Sequence, residues 1–367
     1  MTREDFIKIC GILGVGLPLH FSLISCYTDD KITKPFNGKV IIIGAGAGGL
    51  SAGYLLQQQG MDFEILEASA SYGGRIKINT SFADFPIPLG AEWLETDTNI
   101  FQEIVNNSSV QVDVQTFEDA PDRKFVNSSW YNFFEEYIVP SISNKISFDT
   151  IVKSIDYSGD QIVITTQNGR QIADKVIVSV PLKTLQDEEI KFTPSLPQRK
   201  LDAIKNTVIW EGFKAFVEFS TKFYDDEFVF KITPENDGEK IYYDASLGQN
   251  TSRHILGLFV VGKPALDYVL LSDNDLKNFI LNELDVIYSN QATPNYTKHI
   301  TQNWNKEPFI KSGYMSDYAD WRTVRELGKP VANKIHFAGG AYTDGEEWVS
   351  VHAAARSAKK AIDELNN

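Results

Sequence analysis

The chain has 367 residues, and its 49 Asp and Glu against 35 Lys and Arg give a formal net charge of −14. Hydrophobic residues make up 43% and aromatics 12%, which excludes disorder as the main state and predicts two domains, or one with an insertion. The acidic balance, with no basic stripe to neutralise phosphates, excludes nucleic acid as a partner. Both cysteines, Cys10 and Cys26, lie near the start, so the body of the protein holds no disulfide framework, CxxC zinc site or cysteine nucleophile.

In chain order, residues 9–25 form an apolar run behind the charged segment MTREDFIK. The run is short for a spanning helix and is interrupted by Pro18 and His20; it predicts a signal peptide over 1–25, with 26–37 as a polar tether. Lys39–Ile43 is apolar and β-branched, as a central parallel strand requires. A glycine-rich turn, a helix over Leu50–Gln59 stopped by Gly60, and a strand over Phe63–Leu66 complete a βαβ start. Residues 146–180 predict three strands, with Asn168-Gly169 as a hairpin turn. A short helix follows over 198–207, then strands at 213–219, 227–232, 240–244 and 255–261. Ser272, with Asp275 three positions on, caps an amphipathic helix reaching Tyr288. The chain closes with a strand over Lys334–Phe337 and a helix over Ser350–Leu365. The expected fold is α/β: a Rossmann-like doubly wound parallel sheet built from 38–90, 146–200 and 300–367. Segments 91–145 and 201–299 form an inserted α+β domain for substrate.

The turn after the first strand reads Gly44-Ala45-Gly46-Ala47-Gly48-Gly49. Gly44 allows the tight turn, Gly46 lets the backbone approach a pyrophosphate, and Gly49 allows the helix to pack closely on the strand. The helix N-terminus, with Ala47 and Gly48, offers free N–H groups and partial positive charge to phosphates. Glu67, with Ala68 beside it, ends the second strand 18 residues past Gly49, where an acid binds ribose hydroxyls. This pattern predicts a dinucleotide site. No HxH or HExxH spacing joins His254, His299, His336 and His352, so no metal site is expected, and the absence of GxSxG argues against a hydrolase elbow.

Farther on come Gly73-Gly74-Arg75 and Leu89-Gly90-Ala91-Glu92-Trp93. With the opening fingerprint these resemble the flavin-containing amine oxidase superfamily, whose members bind FAD. Ile335-His336-Phe337-Ala338-Gly339-Gly340 resembles the family's late strand and turn, and Val351-His352-Ala353-Ala354 begins a helix similar to the one aimed at the flavin pyrimidine. The resemblance implies cofactor contacts at Gly44, Gly46, Ala47, Gly48, Gly49, Glu67, Ala68, Gly73, Gly74, Arg75, Gly90, Ala91, Glu92 and Trp93. It also implies them at Val152, whose backbone would meet adenine, at Gly339 and Gly340, and at Val351 through its N–H. The FAD would be noncovalent, because no cysteine follows Cys26.

The family often carries a lysine at the end of a PLxxLK segment, holding a water near the flavin N5 for reaction with oxygen. The matching segment here is Pro181-Leu182-Lys183-Thr184-Leu185-Gln186, which puts Gln186 in that role without the positive charge. Gly340 stands where the family has a glutamate, with Asp344, Glu346 and Glu347 as nearby acids. Tyr314, in a segment similar to the family's W…PfxxGsY, is the expected aromatic wall over the flavin; Ser350 occupies the usual second aromatic position, and Trp348 lies displaced from it. The resemblance implies an FAD-dependent oxidoreductase on a small-molecule amine. Two other readings remain open: a desaturase or porphyrinogen-type oxidase on a lipophilic substrate, and a non-catalytic lipoprotein that keeps the fold. Leu23-Ile24-Ser25-Cys26 resembles a bacterial lipobox, and Thr2–Lys8 is similar to a twin-arginine signal with Glu4 in place of the second arginine. These imply export to the periplasm or cell surface and a membrane anchor through acylated Cys26.

Overall fold

Val40–Ile43 is the middle of a five-stranded, wholly parallel sheet in a computed structural model of the chain. The model describes residues 36–366 apart from 117–122, 225–227, 233–236, 317–318, 346 and 348. The expected signal peptide, Cys26 and nearly all of the tether lie outside the described residues, as do Glu346 and Trp348. Across the sheet the strands run Ile335–Phe337, Lys175–Val178, Val40–Ile43, Phe63–Leu66 and Ile146–Ser147.

Side chains of a strand alternate between faces, so a strand apolar at every position needs cover on both. Val40 and Ile42 enter a core under the helices Ala47–Gln58 and Val351–Leu365. Ile41 and Ile43 enter a second core with Ile155, Ile162 and Ile164, which come from a four-stranded sheet on the other side. The 146–180 region holds five strands where three were expected. Ile146–Ser147 and Lys175–Val178 join the parallel sheet, while Val152–Asp156, Ile162–Thr166 and Gly169–Ala173 pair antiparallel in the second. The Asn168-Gly169 hairpin is present, with Thr166 opposite Gly169.

A third sheet of five strands runs, across its width, Phe228–Ile232, Gly238–Asp244, His254–Gly262, Gly212–Phe219 and Tyr296–Asn303. Ser272 caps the helix Asp273–Ile287 as expected, its side chain accepting from the Asp275 N–H. Two boundaries differ from expectation. Residue 300 falls inside Tyr296–Asn303, which pairs along its length with Gly212–Phe219. The helices Asn99–Val105 and Trp130–Tyr137, placed with the substrate domain by sequence, bury Phe101, Trp130 and Phe133 in the core shared with Val40 and Leu50. Their aromatic residues carry enough apolar area to need the sheet as a partner. Among the described residues no helix is long and apolar enough to cross a membrane.

Candidate functional site

A cleft of about 830 Å³ opens at the carboxyl ends of the parallel strands and extends to the third sheet. That volume lies toward the upper end for small-molecule sites. Its first wall is the glycine turn. Gly44 has φ of +103°, the region that favours glycine. A Cβ on Gly49 would lie 1.9 Å from the Gly44 carbonyl oxygen, so Gly49 sits behind the turn and serves helix–strand packing, outside the cleft lining. Gly46 differs from both. It lines the cleft, its φ of −77° suits any residue, and a Cβ there would meet no protein atom within 4 Å. Nothing in the protein itself calls for glycine at 46, so the open space above it fits a group brought by a ligand. The helix that starts there has no side-chain cap, leaving its N-terminal N–H groups to the cleft.

Glu67 is held at this turn. Its Oε2 accepts from the Ala45 N–H at 2.6 Å and its Oε1 from the Ser69 N–H at 2.9 Å. The carboxylate thus braces the turn as well as lining the cleft beside Ala68. Gly73 donates its N–H to the Ala45 carbonyl at 2.8 Å, which brings Gly74 and Arg75 alongside the fingerprint. Arg75 is half-buried, and its burial pushes its pKa down; it donates to the Gly313 carbonyl and lines the cleft. Gly90, Ala91, Glu92, Trp93, Val152, Gly339, Gly340 and Val351 line it as well. Val351 starts a helix capped by Ser350, whose side chain accepts from the Ala353 N–H. Neither Asp344 nor Glu347 lines the cleft beside Gly340, and Glu347 is paired with Arg356.

At the far end the wall is aromatic and apolar. Tyr314 lies nearly parallel to Phe259, with ring centroids 6.5 Å apart and an interplanar angle of 15°. Phe259, Val261, Phe309 and Ile310 line the cleft with it, and Glu95 and Glu189 line it too, Glu189 being paired with Lys311. Phe259 was missed from the sequence, although alternation marks it: Leu256, Leu258 and Val260 face the core of the third sheet, which turns Phe259 to the other side.

Gln186 is the clear correction. It does not line the cleft; its side-chain amide donates to the carbonyls of Ile204 and Thr207, both at 2.8 Å. The short helix Leu182–Gln186 buries Leu182 and Leu185, and that anchoring directs Gln186 to the end of the neighbouring helix Gln198–Asn206. The buried ammonium that does line the cleft is Lys214, on the strand Gly212–Phe219. Its Nζ donates to the carboxylate Oε2 of Glu92 at 2.6 Å, to the Pro88 carbonyl at 2.9 Å and to the Gly90 carbonyl at 3.1 Å. The sequence signal was a lysine flanked by Phe213, Ala215 and Phe216 in a strand whose one other charged residue is Glu218. Burial alone would raise the pKa of Glu92, but Lys214 and Lys124 outweigh it and hold the carboxyl below the usual range. Among the described residues no cluster of His, Cys, Asp and Glu could hold a metal ion.

The family described as flavin containing amine oxidoreductase matches residues 134–366, and an NAD(P)-binding Rossmann-like domain matches residues 42–107. The chain belongs to the flavin-containing amine oxidoreductase family. It is 25% identical to lysine-specific histone demethylase 1B of Mus musculus, aligned over 93% of this chain and 53% of that protein. Polyamine oxidase 2 of Arabidopsis thaliana is 23% identical over 93% of this chain and 90% of its own length. The chain spans about half the length of the curated histone demethylases 1B and 2. A structure of putrescine oxidase bound to putrescine superimposes with a TM-score of 0.70 at 15% identity, covering 90% of this chain and 99% of that one. The cofactor of an amine oxidoreductase of this family is FAD, and the open space at Gly46 with an uncapped helix N-terminus suits its pyrophosphate.

Proposed function

We propose that the protein oxidises an amine carrying an apolar body, using noncovalent FAD. The observation that carries this reading is a single cleft joining the open cradle at Gly46 to the aromatic wall of Tyr314 and Phe259, with Lys214 also in its lining. Gly46, Ala47 and Gly48 would hold the pyrophosphate, Glu67 the ribose, Val152 the adenine, and Arg75, Gly339, Gly340 and Val351 the remainder. What FAD supplies when bound is a hydride acceptor for the C–H beside nitrogen, leaving an imine that water hydrolyses. The chain's own part is to orient. The ring faces of Tyr314 and Phe259 hold the apolar body, and the Glu95 carboxylate favours a cationic amine approaching from water, Glu189 being paired with Lys311. Lys214, which lines the cleft where Gln186 does not, would supply the positive charge that the neutral Gln186 expected from sequence lacks, as reduction of the flavin builds negative charge.

The apolar stretch Val261, Phe309 and Ile310 favours a second reading, an FAD-dependent oxidation of a lipophilic substrate without nitrogen. One experiment separates the readings. The purified protein is examined for two visible flavin bands that denaturant releases, then mixed anaerobically with primary and secondary amines or with a polyene. Bleaching by amines supports the first reading, and bleaching by the polyene alone supports the second. A colourless protein that takes up no FAD overturns both, and leaves a non-catalytic binding protein. We also propose export and acylation at Cys26; labelled palmitate that is incorporated equally by a Cys26→Ser variant would refute the anchor.

A further inference from the structure

The chain enters the folded body at the end remote from the cleft. Phe36 donates its N–H to the Asn366 Oδ1 at 3.2 Å, and its ring centroid lies 5.6 Å from the Lys175 Nζ. Lys175 opens the strand Lys175–Val178. Lys39, just before Val40–Ile43, donates its N–H to the neighbouring Asp174 Oδ2 at 2.8 Å. Phe36 therefore sits at the amino ends of the parallel strands, whereas the cleft lies at their carboxyl ends. Two helices measure the separation. Val351–Leu365 starts in the cleft lining and ends at Asn366, and its 15 residues span about 22 Å. Ala47–Gln58 starts at the Gly46 cradle and ends at Gln59, and its 12 residues span about 18 Å. Gly74, Glu95 and Pro308 are exposed members of the cleft lining. The first two follow the carboxyl end of Phe63–Leu66 and the third follows the third-sheet strand Tyr296–Asn303, so the cleft opens on that side.

Covalent geometry then limits how an anchored molecule can stand. Ten residue steps separate Cys26 from Phe36, and fully extended they reach about 35 Å. A compact body the size of Pro35–Asn367 has a radius of gyration of about 20 Å, hence a diameter of about 50 Å. To turn the cleft onto a bilayer, Phe36 would have to stand about 50 Å above it, which is farther than the tether reaches. Lying on one side is within reach; facing the lipid is not.

We propose that the acylated protein stands with the amino edge of its parallel sheet toward the lipid surface and its cleft toward water, so that its substrate is an amine dissolved in water and not a molecule dissolved in the bilayer. The orientation rests on the acylation at Cys26 proposed above, and the substrate half rests also on the amine reading. A membrane anchor alone would suit a lipophilic substrate, and the place of Phe36 removes that advantage.

The test uses the full chain, exported and acylated, on vesicles of phosphatidylethanolamine and phosphatidylglycerol that carry an acceptor dye on their headgroups. No cysteine follows Cys26, so single introduced cysteines can carry a donor fluorophore. Gln59→Cys and Lys145→Cys mark the amino edge. Lys306→Cys marks the cleft side, between the lining residues Trp304 and Pro308. Leu270→Cys, at a residue 87% exposed, marks the far side of the third sheet. The first pair is expected to transfer energy to the lipid dye at least about twice as efficiently as the second. Equal transfer from all four positions, or the reverse order, overturns the orientation and leaves the anchor standing. Wild type that fails to float with the vesicles refutes the anchor, and the orientation with it. The second readout is anaerobic bleaching of bound flavin by a short amine in water and by a long-chain alkylamine held in the vesicles. Each rate is divided by that of the Cys26→Ser chain in vesicle-free solution. The short amine is expected to keep its rate, while the alkylamine, which must leave the bilayer to reach the cleft, is expected to lose at least about tenfold. An alkylamine that loses nothing overturns the substrate half. If neither amine bleaches the flavin, the amine reading fails and takes the substrate half with it, while the order of the labels, read without flavin, still judges the orientation.

Discussion

Replacing Gly46 with valine separates the demands of the fold from those of a ligand. The backbone at 46, with φ of −77° and ψ of −177°, admits a β-branched residue without strain, and a Cβ meets no protein atom within 4 Å. The cost to the protein is limited to a poorer N-cap for the helix Ala47–Gln58, about 1 kcal/mol. In a chain of this size that lowers the melting temperature of the flavin-free protein by no more than about 4 °C. The cost to a phosphate is larger, because the isopropyl group fills the space in front of the helix N-terminus. Losing two charge-assisted N–H bonds at about 1.5–3 kcal/mol each weakens FAD binding roughly 10²- to 10⁴-fold. Calorimetric melting of the flavin-free protein and fluorescence titration with FAD measure the two costs separately. A Gly46→Val protein that binds FAD as tightly as wild type refutes the cradle. One that unfolds shows that the open space was misjudged.

Three further predictions concern other parts of the site. Gln186→Leu removes the donors to Ile204 and Thr207 and should cost about 2–3 kcal/mol by urea melts, while stopped-flow reoxidation of reduced flavin stays at the wild-type rate; a slowed rate would return position 186 to the site. Ser350→Ala strips the cap from the helix Val351–Leu365 and should lower stability by about 1 kcal/mol, with some loss of flavin affinity because Ser350 lines the cleft. His352 is buried, and this, with the Arg356 charge opposed by Glu103, pushes its pKa from 6.5 down to about 4. The unfolded chain therefore binds more protons between those values, so His352 should withdraw about 3 kcal/mol of stability as pH falls from 6.5 to 4. His352→Met should flatten that part of the stability profile, and an identical acid slope in the variant would show that His352 is not its source.

The cofactor half of the cleft was legible because its signals are local. A glycine turn between a β-branched strand and a helix states its geometry within a few residues, and Glu67 and Gly73 stand at fixed distances from it. Gly49, expected at the cofactor, was correctly read for packing and lies behind the turn. The substrate half was less legible because its residues meet across a sheet. Gln186 matched a motif position, but the anchoring of Leu182 and Leu185 decides where its short helix points, and that depends on Ile204 and Thr207 in another helix. Lys214 sat in a strand whose apolar neighbours concealed it; its meaning depends on Glu92, 122 residues away. Trp130 and Phe133 read as part of a substrate domain until the sheet core they fill was visible.

The place of the last strand has a consequence for biosynthesis. Ile335–Phe337 pairs with Lys175–Val178, and Gly339 follows it so closely that a Cβ on Gly48 would sit 2.8 Å from the Gly339 Cα. Until the ribosome has released residues beyond about 340, Lys175–Val178 is an apolar sheet edge without a neighbour, and the turn at Gly48 lacks its lid. A growing chain is therefore exposed to edge-to-edge association for as long as residues 179 to about 340 are being made, and the turn that would hold a nucleotide is completed only after that. A mutation in Ile335–Phe337, or a truncation ahead of it, would then be felt as failed flavin loading and aggregation, far in sequence from the glycine turn at 44–49.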